Sequence, residues 1–192
     1  MAHRDDSSQL LDQEPILLHA ARNGDRNAFA VLVERYWDRL FRWLIHLAHD
    51  RHTAEDLTQE AFLKAFAGLK LFREGSNFRA WLFRIAHNCY VNLQRRGSTR
   101  KGQPLADNLP CPDDGPVEQV LSREALQALA QAVSCLPEDF RAAFLLRAEE
   151  GLSFRQIAEV LDLTEETARW RVFKARQKLL TGLAGQLDGE RP

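Results

Sequence analysis

The sequence predicts an all-α fold, built as two small helical domains joined by a flexible linker. Three observations lead there. Apolar residues recur at helical spacing along most of the 192 residues, and no segment alternates convincingly with period two. Residues 97–116 break that pattern with a run rich in Gly, Pro, Ser, Thr, Asn and Asp, too long for an ordinary connection inside one compact domain. The length suits two small domains as well as one larger one.

Composition narrows the classes. Apolar residues make up 45% of the chain, as in ordinary globular proteins. No apolar run approaches the ~18–20 residues of a membrane span, so no membrane insertion is expected. The segment from Met1 to Glu14 is polar and acidic and lacks a secretion signal, so a cytoplasmic protein is expected. Cys89, Cys111 and Cys135 have no C-x-x-C spacing and read as reduced thiols, Cys89 and Cys135 buried in helices and Cys111 in a loop. No metal or cofactor is expected on them. Net charge is −1, but Arg79, Arg84, Arg95, Arg96, Arg100 and Lys101 form one basic zone, and Arg169, Arg171, Lys174, Arg176 and Lys178 a second. Such zones are DNA contacts or merely solvated helix faces, and charge alone leaves both open.

The elements follow in order. Residues 1–24 read as an extension with a short helix near Ile16–Asn23. The first domain, 25–96, begins with a long amphipathic helix over Arg26–Ala48. Thr53 then opens a helix with acids in its first turn, as a helix N-terminus prefers. That helix fades into Gly68–Gly75, and Ser76 or Asn77 caps the next, which runs to about Arg96. After the linker, residues 117–183 hold helices near Val117–Cys135, Pro137–Glu150, Ser153–Leu161 and Glu165–Leu180, with 184–192 as a tail. Pro137 suits a first helical turn, Gly151 a helix stop, and Ser153 with Gln156 a capping box.

The last two helices, joined by Asp162–Leu163–Thr164, have helix-turn-helix spacing. In the second of them Ala168, Val172, Ala175 and Leu179 share one side and form its core seam. Trp170, Phe173 and Lys174 point the other way, flanked by Arg169 and Arg176. A groove-reading helix explains exposed aromatics among cations: Arg pairs with guanine edges, apolar groups touch thymine methyls, and Lys meets phosphate. Packing of Trp170 or Phe173 on another helix is the plainer alternative.

Two faces of the first domain stand out. In the helix from Thr53, Leu57, Ala61, Phe62, Ala65, Phe66 and Leu69 form an apolar arc, while Asp56, Gln59, Glu60 and Leu63 gather opposite. Carboxylates around an exposed leucine suit docking on a basic protein surface, and a solvated face is the even alternative. In the helix from Ser76, the seam is Phe78, Leu82, Ile85, Cys89 and Leu93, with Trp81 on its flank. Arg79, Phe83, Arg84, His87, Asn88, Tyr90 and Gln94 form the outer face, a set suited to stacking and tracking a single strand. A third helix sharing the core is the alternative, and it would take Phe83 and Tyr90. His87 lacks ligand-spaced companions and reads as a polar surface group.

Together these segments resemble the extracytoplasmic-function group (group IV) of sigma factors in the sigma-70 superfamily. The run TAEDLTQEAFLKA, Thr53 to Ala65, is similar to the family's polymerase-binding helix. FRAWLFRIAHN, Phe78 to Asn88, resembles its melting and minus-10 segment, and GLSFRQIA, Gly151 to Ala158, with Arg169 to Arg176, its region 4. The resemblance implies a non-catalytic factor that binds core RNA polymerase and reads minus-35 and minus-10 promoter elements. It implies that Asp56, Gln59, Glu60 and Leu63 face the β′ clamp and that the C-terminal domain meets the β flap. Phe78, Arg79, Trp81, Phe83, Arg84, His87, Asn88 and Tyr90 would hold the melted minus-10 strand. Thr167, Arg169, Trp170, Arg171, Phe173, Lys174 and Arg176 would meet the minus-35 element. An anti-sigma factor is a further implied partner. Asn92, Glu166 and Trp170 depart from the family's usual residues, which leaves the promoter sequence open. The chain ends soon after this region, so no C-terminal sensory extension is expected.

Three other classes compete. A stand-alone helix-turn-helix regulator would use the C-terminal pair only and leave both N-terminal faces unexplained. An adaptor would show no salt-sensitive DNA binding. An enzyme is disfavoured, with no phosphate-binding Gly loop, metal cluster or nucleophile–base pair apparent, and no small-molecule substrate is expected.

Overall fold

The computed structural model describes residues 5–73, 75–100 and 123–188, with side chains over 13–73, 75–97 and 127–181. Among the described residues the regular structure is helical: α1 (Asp5–Arg22), α2 (Arg26–Ala48), α3 (Arg51–Gly68), a 3-10 turn (Leu69–Leu71), α4 (Phe78–Arg100), α5 (Arg123–Ser134), α6 (Glu138–Ala148), α7 (Phe154–Leu161) and α8 (Glu165–Asp188). The all-α expectation holds.

Local chemistry sets the helix ends. Asp25 caps α2, its carboxylate accepting the backbone N–H groups of Asn27 and Ala28 at 2.9 and 3.2 Å. The cap of α3 is Asp50, three residues before the expected Thr53. Its carboxylate accepts both the backbone N–H and the hydroxyl of Thr53, at 2.7 and 2.6 Å. An ionised oxygen outcompetes a hydroxyl for the orphan donors, and those bonds hold the Asp50 carboxyl below its usual range. Asn77 starts α4 by accepting from Ala80 N–H at 3.0 Å. Ser153 and Gln156 form the expected capping box on α7. Before it, Gly151 ends the preceding turn at φ +64, a conformation that favours glycine.

Other boundaries move. α1 is far longer than the short helix expected near Ile16–Asn23. α4 runs to Arg100, past Arg96 and into what was expected to be linker, and α8 runs past Leu180 to Asp188. Residues 101–122, with Cys111, lie outside the described part of the chain. Cys135 is exposed at the end of α5, not buried as expected, because Val133 and Leu136 supply the inward side chains there.

Helix α2 is the spine of the N-terminal bundle. Ala28, Phe29, Leu32, Tyr36, Leu40, Trp43, Leu44 and Leu47 are buried at three- and four-residue spacing against α1, α3 and α4. Fully burying side chains such as Leu32 or Leu44 contributes about 1.5–3 kcal/mol each. Tyr36 adds a hydrogen bond to Glu14 of α1, and this burial raises its phenol pKa. In the C-terminal bundle, buried Arg141 of α6 donates to the carbonyls of Ser134 and Leu136, closing the α5–α6 turn. The two bundles then pack together, α6 on α2 and α7 on α4.

Candidate protein and nucleic-acid interfaces

The polar face of α3 forms as expected. Leu57, Ala61, Phe62 and Ala65 turn inward, whereas Asp56, Gln59 and Glu60 are exposed around Leu63, itself 71% exposed. Phe66 departs from the buried arc: its ring lies tilted against Phe29, with centroids 4.9 Å apart, and stays 42% exposed. Glu60 pairs with Lys64 at 2.6 Å, and this bond raises the Lys64 pKa. Beside this face an open cleft is lined by Lys64, Gly68, Leu71, Trp81, Ile85 and Asn88.

Helix α4 corrects the single-strand reading. Phe78 and Phe83 are fully buried and Tyr90 is 3% exposed, so none of these rings offers a stacking surface. Helix α2 is the third helix that claims two of them. Phe83 lies 5.4 Å from the Trp43 ring, and the Tyr90 hydroxyl donates to the Leu47 carbonyl at 3.1 Å. Phe78 packs among Tyr36, Phe72 and Trp81. His87 is not the surface group expected either. It is half-buried near Trp43, with centroids 6.3 Å apart, and its Nδ1 has no hydrogen-bond partner. Burial, then the charge of Arg171, lowers its pKa. Arg84 and Asn88 remain exposed, Trp81 half-buried, and Leu93 turns out of the seam at 42% exposure.

Helix α8 keeps its expected faces. Ala168, Val172, Ala175 and Leu179 are buried, and Trp170 and Phe173 are 50% and 55% exposed. Trp170 meets the Phe140 ring of α6, so it is both exposed and braced. Arg169 pairs with Glu165 at 3.0 Å and lies 5.3 Å from the Phe154 ring centroid. Arg176 is exposed, and Lys174 is partly buried, donating to Gln177 at 3.2 Å. Thr167 takes part in the cap: its N–H and hydroxyl both meet the Thr164 hydroxyl oxygen. Arg171 is the exception among the cations. Its side chain is only 18% exposed and pairs with Asp139 at 3.0 Å, on the side that faces His87.

Several residues escaped the sequence reading. Phe154 lies between two guanidinium groups, Arg147 at 5.1 Å and Arg169 at 5.3 Å. Glu150 is 3% exposed and reaches across to the N-terminal bundle. Its Oε1 accepts from Arg39 Nε at 3.3 Å, its Oε2 lies 2.9 Å from Arg39 Nη2, and its carbonyl accepts from Arg79 Nη1 at 2.5 Å. Trp43 Nε1–H donates to the Ala142 carbonyl at 3.4 Å. These pairs are separated by 111, 71 and 99 positions, so no local spacing signals them. No helix among the described residues is long and apolar enough to cross a membrane.

Two family models match the chain: Sigma-70 region 2 over residues 32–100, and Sigma-70, region 4 over residues 126–179. The RNA polymerase sigma-H factor of Pseudomonas aeruginosa is 34% identical over 178 residues, covering 88% of this chain and 92% of that protein. The ECF RNA polymerase sigma-E factor of Escherichia coli (strain K12) is 33% identical, covering 90% and 94%. Among solved structures, CnrH in complex with the cytosolic domain of CnrY aligns with a TM-score of 0.64 at 27% identity, covering 93% of this chain and 99% of that one. The sigma factor RpoE in complex with the anti-sigma factor NepR, from Bartonella quintana, aligns with a TM-score of 0.67 at 28% identity, covering 81% and 96%.

Proposed function

Starting from the premise that this chain belongs to the sigma-70 family as an extracytoplasmic-function sigma factor, we propose that it is a group IV member that brings core RNA polymerase to promoters with minus-35 and minus-10 elements. The observation that carries this is the outer face of α8, where Arg169, Trp170, Phe173 and Arg176 stay exposed on the second helix of a helix-turn-helix. Base reading belongs there, with Arg169 near the helix start as the strongest candidate for a guanine edge.

The exposed face of Asp56, Gln59, Glu60 and Leu63 docks on the β′ clamp, and the C-terminal bundle meets the β flap. The functional halves divide between Arg100 and Arg123. Arg84, Asn88 and the cleft beside Trp81 hold the melted minus-10 strand, replacing the buried rings of Phe78, Phe83 and Tyr90 in that role. Catalysis belongs to the polymerase, and work on promoter DNA places the chain in the cytoplasm. An anti-sigma factor is a partner by analogy with the complex from Bartonella quintana. The stand-alone regulator is less well supported, because it leaves the α3 face without a use.

Core binding tests this reading. The double substitution Asp56→Lys, Glu60→Lys reverses two exposed charges and should weaken core-polymerase binding at least about tenfold, on the order of 1.4 kcal/mol. Helicity should be unchanged, since neither side chain enters the core. Unchanged core binding by the folded double variant contradicts the docking assignment.

A further inference from the structure

We infer that Arg39 and Arg79 form a phosphate site for the melted promoter strand, and that the Glu150 carboxylate occupies this site when the two bundles close. The identity of the strand rests on the function proposed above; the site itself rests on the contact between α2, α4 and the turn after α6.

That contact sets one carboxylate against two guanidinium groups. Glu150 is 3% exposed, while the Arg39 and Arg79 side chains are 30% and 22% exposed. The match is incomplete. Arg79 Nε stands 3.8 Å from Glu150 Oε2 and has no hydrogen-bond acceptor, and Oε2 itself receives no aligned hydrogen bond although Arg39 lies 2.9 Å away. Each guanidinium carries five donors in a planar fork, and a single carboxylate has too few lone pairs for two of them. Phosphate oxygens suit such a pair, because Arg engages phosphate bidentately. Arg79 lies in the first turn of α4 on the side turned to Glu150, about 140° and 180° around the helix from the exposed Arg84 and Asn88, so a strand held by all three crosses the start of α4.

Closure is incompatible with reading two promoter elements at once. Their nominal centres are about 25 base pairs apart, which at ~3.4 Å per pair is on the order of 85 Å. In this structure the Arg79 guanidinium touches the Glu150 backbone at 2.5 Å, and Arg171 of the reading helix influences His87 of α4. The bundles must therefore separate on a promoter. Separation removes Glu150 and leaves two neighbouring arginines without their counter-charge. Other polar contacts across it are few: the Trp43–Ala142 hydrogen bond is long, the Tyr90 hydroxyl faces Glu138, and His87 Nδ1 has no partner.

The test uses the full-length chain and a fluorescent single-stranded 12-mer, with anisotropy followed from about 50 to 200 mM salt and without polymerase. Glu150→Gln should bind the oligonucleotide about tenfold more tightly than wild type at low salt. Its log–log salt slope should steepen by about 1.4 units, as two added phosphate contacts at ~0.7 each require. Adding Arg39→Gln should reverse most of that gain, and the charge-matched Glu34→Gln on α2 should produce none. Should Glu150→Gln lose helicity, Glu150→Asp is the second variant, expected to bind between wild type and the predicted gain. A Glu150 variant that binds and responds to salt as wild type does overturns the proposal. So does a gain that survives Arg39→Gln. Because polymerase is absent, a failure here is separable from a failure to initiate transcription.

Discussion

Trp170 and Phe140 meet edge to face, their ring centroids 5.4 Å apart and their planes 74° apart, so the largest exposed side chain of the reading helix is braced by α6. Such a pair is worth about 0.5–1.5 kcal/mol beyond the area it buries. A double-mutant cycle of Phe140→Ala and Trp170→Ala, followed by denaturant unfolding, should give a coupling of that size. A coupling indistinguishable from zero would mean that Trp170 is free to serve DNA alone.

Arg169 is held on two sides, by the Glu165 carboxylate and the Phe154 ring. Arg169→Ala should change minus-35 preference at one or two base positions by ~1–3 kcal/mol. Lys174→Ala should lower activity evenly and flatten the salt dependence by about one unit. Transcription from a library randomised across the minus-35 element measures both. An even loss for Arg169→Ala places base reading elsewhere on α8.

Phe83 and Tyr90 should behave as core residues. Phe83→Ala empties a fully buried position against Trp43 and should cost about 3–5 kcal/mol of stability. Tyr90→Phe removes one donor to the Leu47 carbonyl and should cost ~1 kcal/mol. Denaturant melts check both. A folded, fully stable Phe83→Ala protein that fails only in promoter melting contradicts the buried assignment.

These two rings show where sequence reasoning stopped. Periodicity identifies the face of a helix that packs on one neighbour, and it worked for α8, where Ala168, Val172, Ala175 and Leu179 are buried and Trp170 is exposed. It worked for α3 as well, apart from Phe66. Helix α4 packs on α3, α2 and α7, so its apolar positions extend around most of its circumference and a two-sided reading fails. The helix order was legible because caps and glycine stops are local, as Asn77, Ser153 and Gly151 illustrate. Glu150, Arg39 and Trp43 were not, because contact between the bundles depends on how two separately patterned units dock.

His87 should make that docking sensitive to pH. Burial and the nearby Arg171 hold its pKa below the ordinary value, with Asp139 and Asp162 opposing. The folded, closed state therefore favours neutral imidazole. Its stabilising contribution is complete above about pH 6.5, the ordinary histidine value, and is lost as pH falls toward the depressed value. Unfolding midpoints should decline as pH falls below about 6.5, and His87→Gln should flatten that decline. An equal decline in both proteins assigns the effect to other groups.

Run-off transcription with purified core polymerase on a genomic promoter library tests the central claim most directly. The full-length chain should add discrete start sites that share two conserved blocks upstream, and Asp56→Lys, Glu60→Lys should reduce their yield at limiting factor concentration by about tenfold or more. A correctly folded chain that binds core polymerase yet yields no start sites beyond those of core alone would contradict the account.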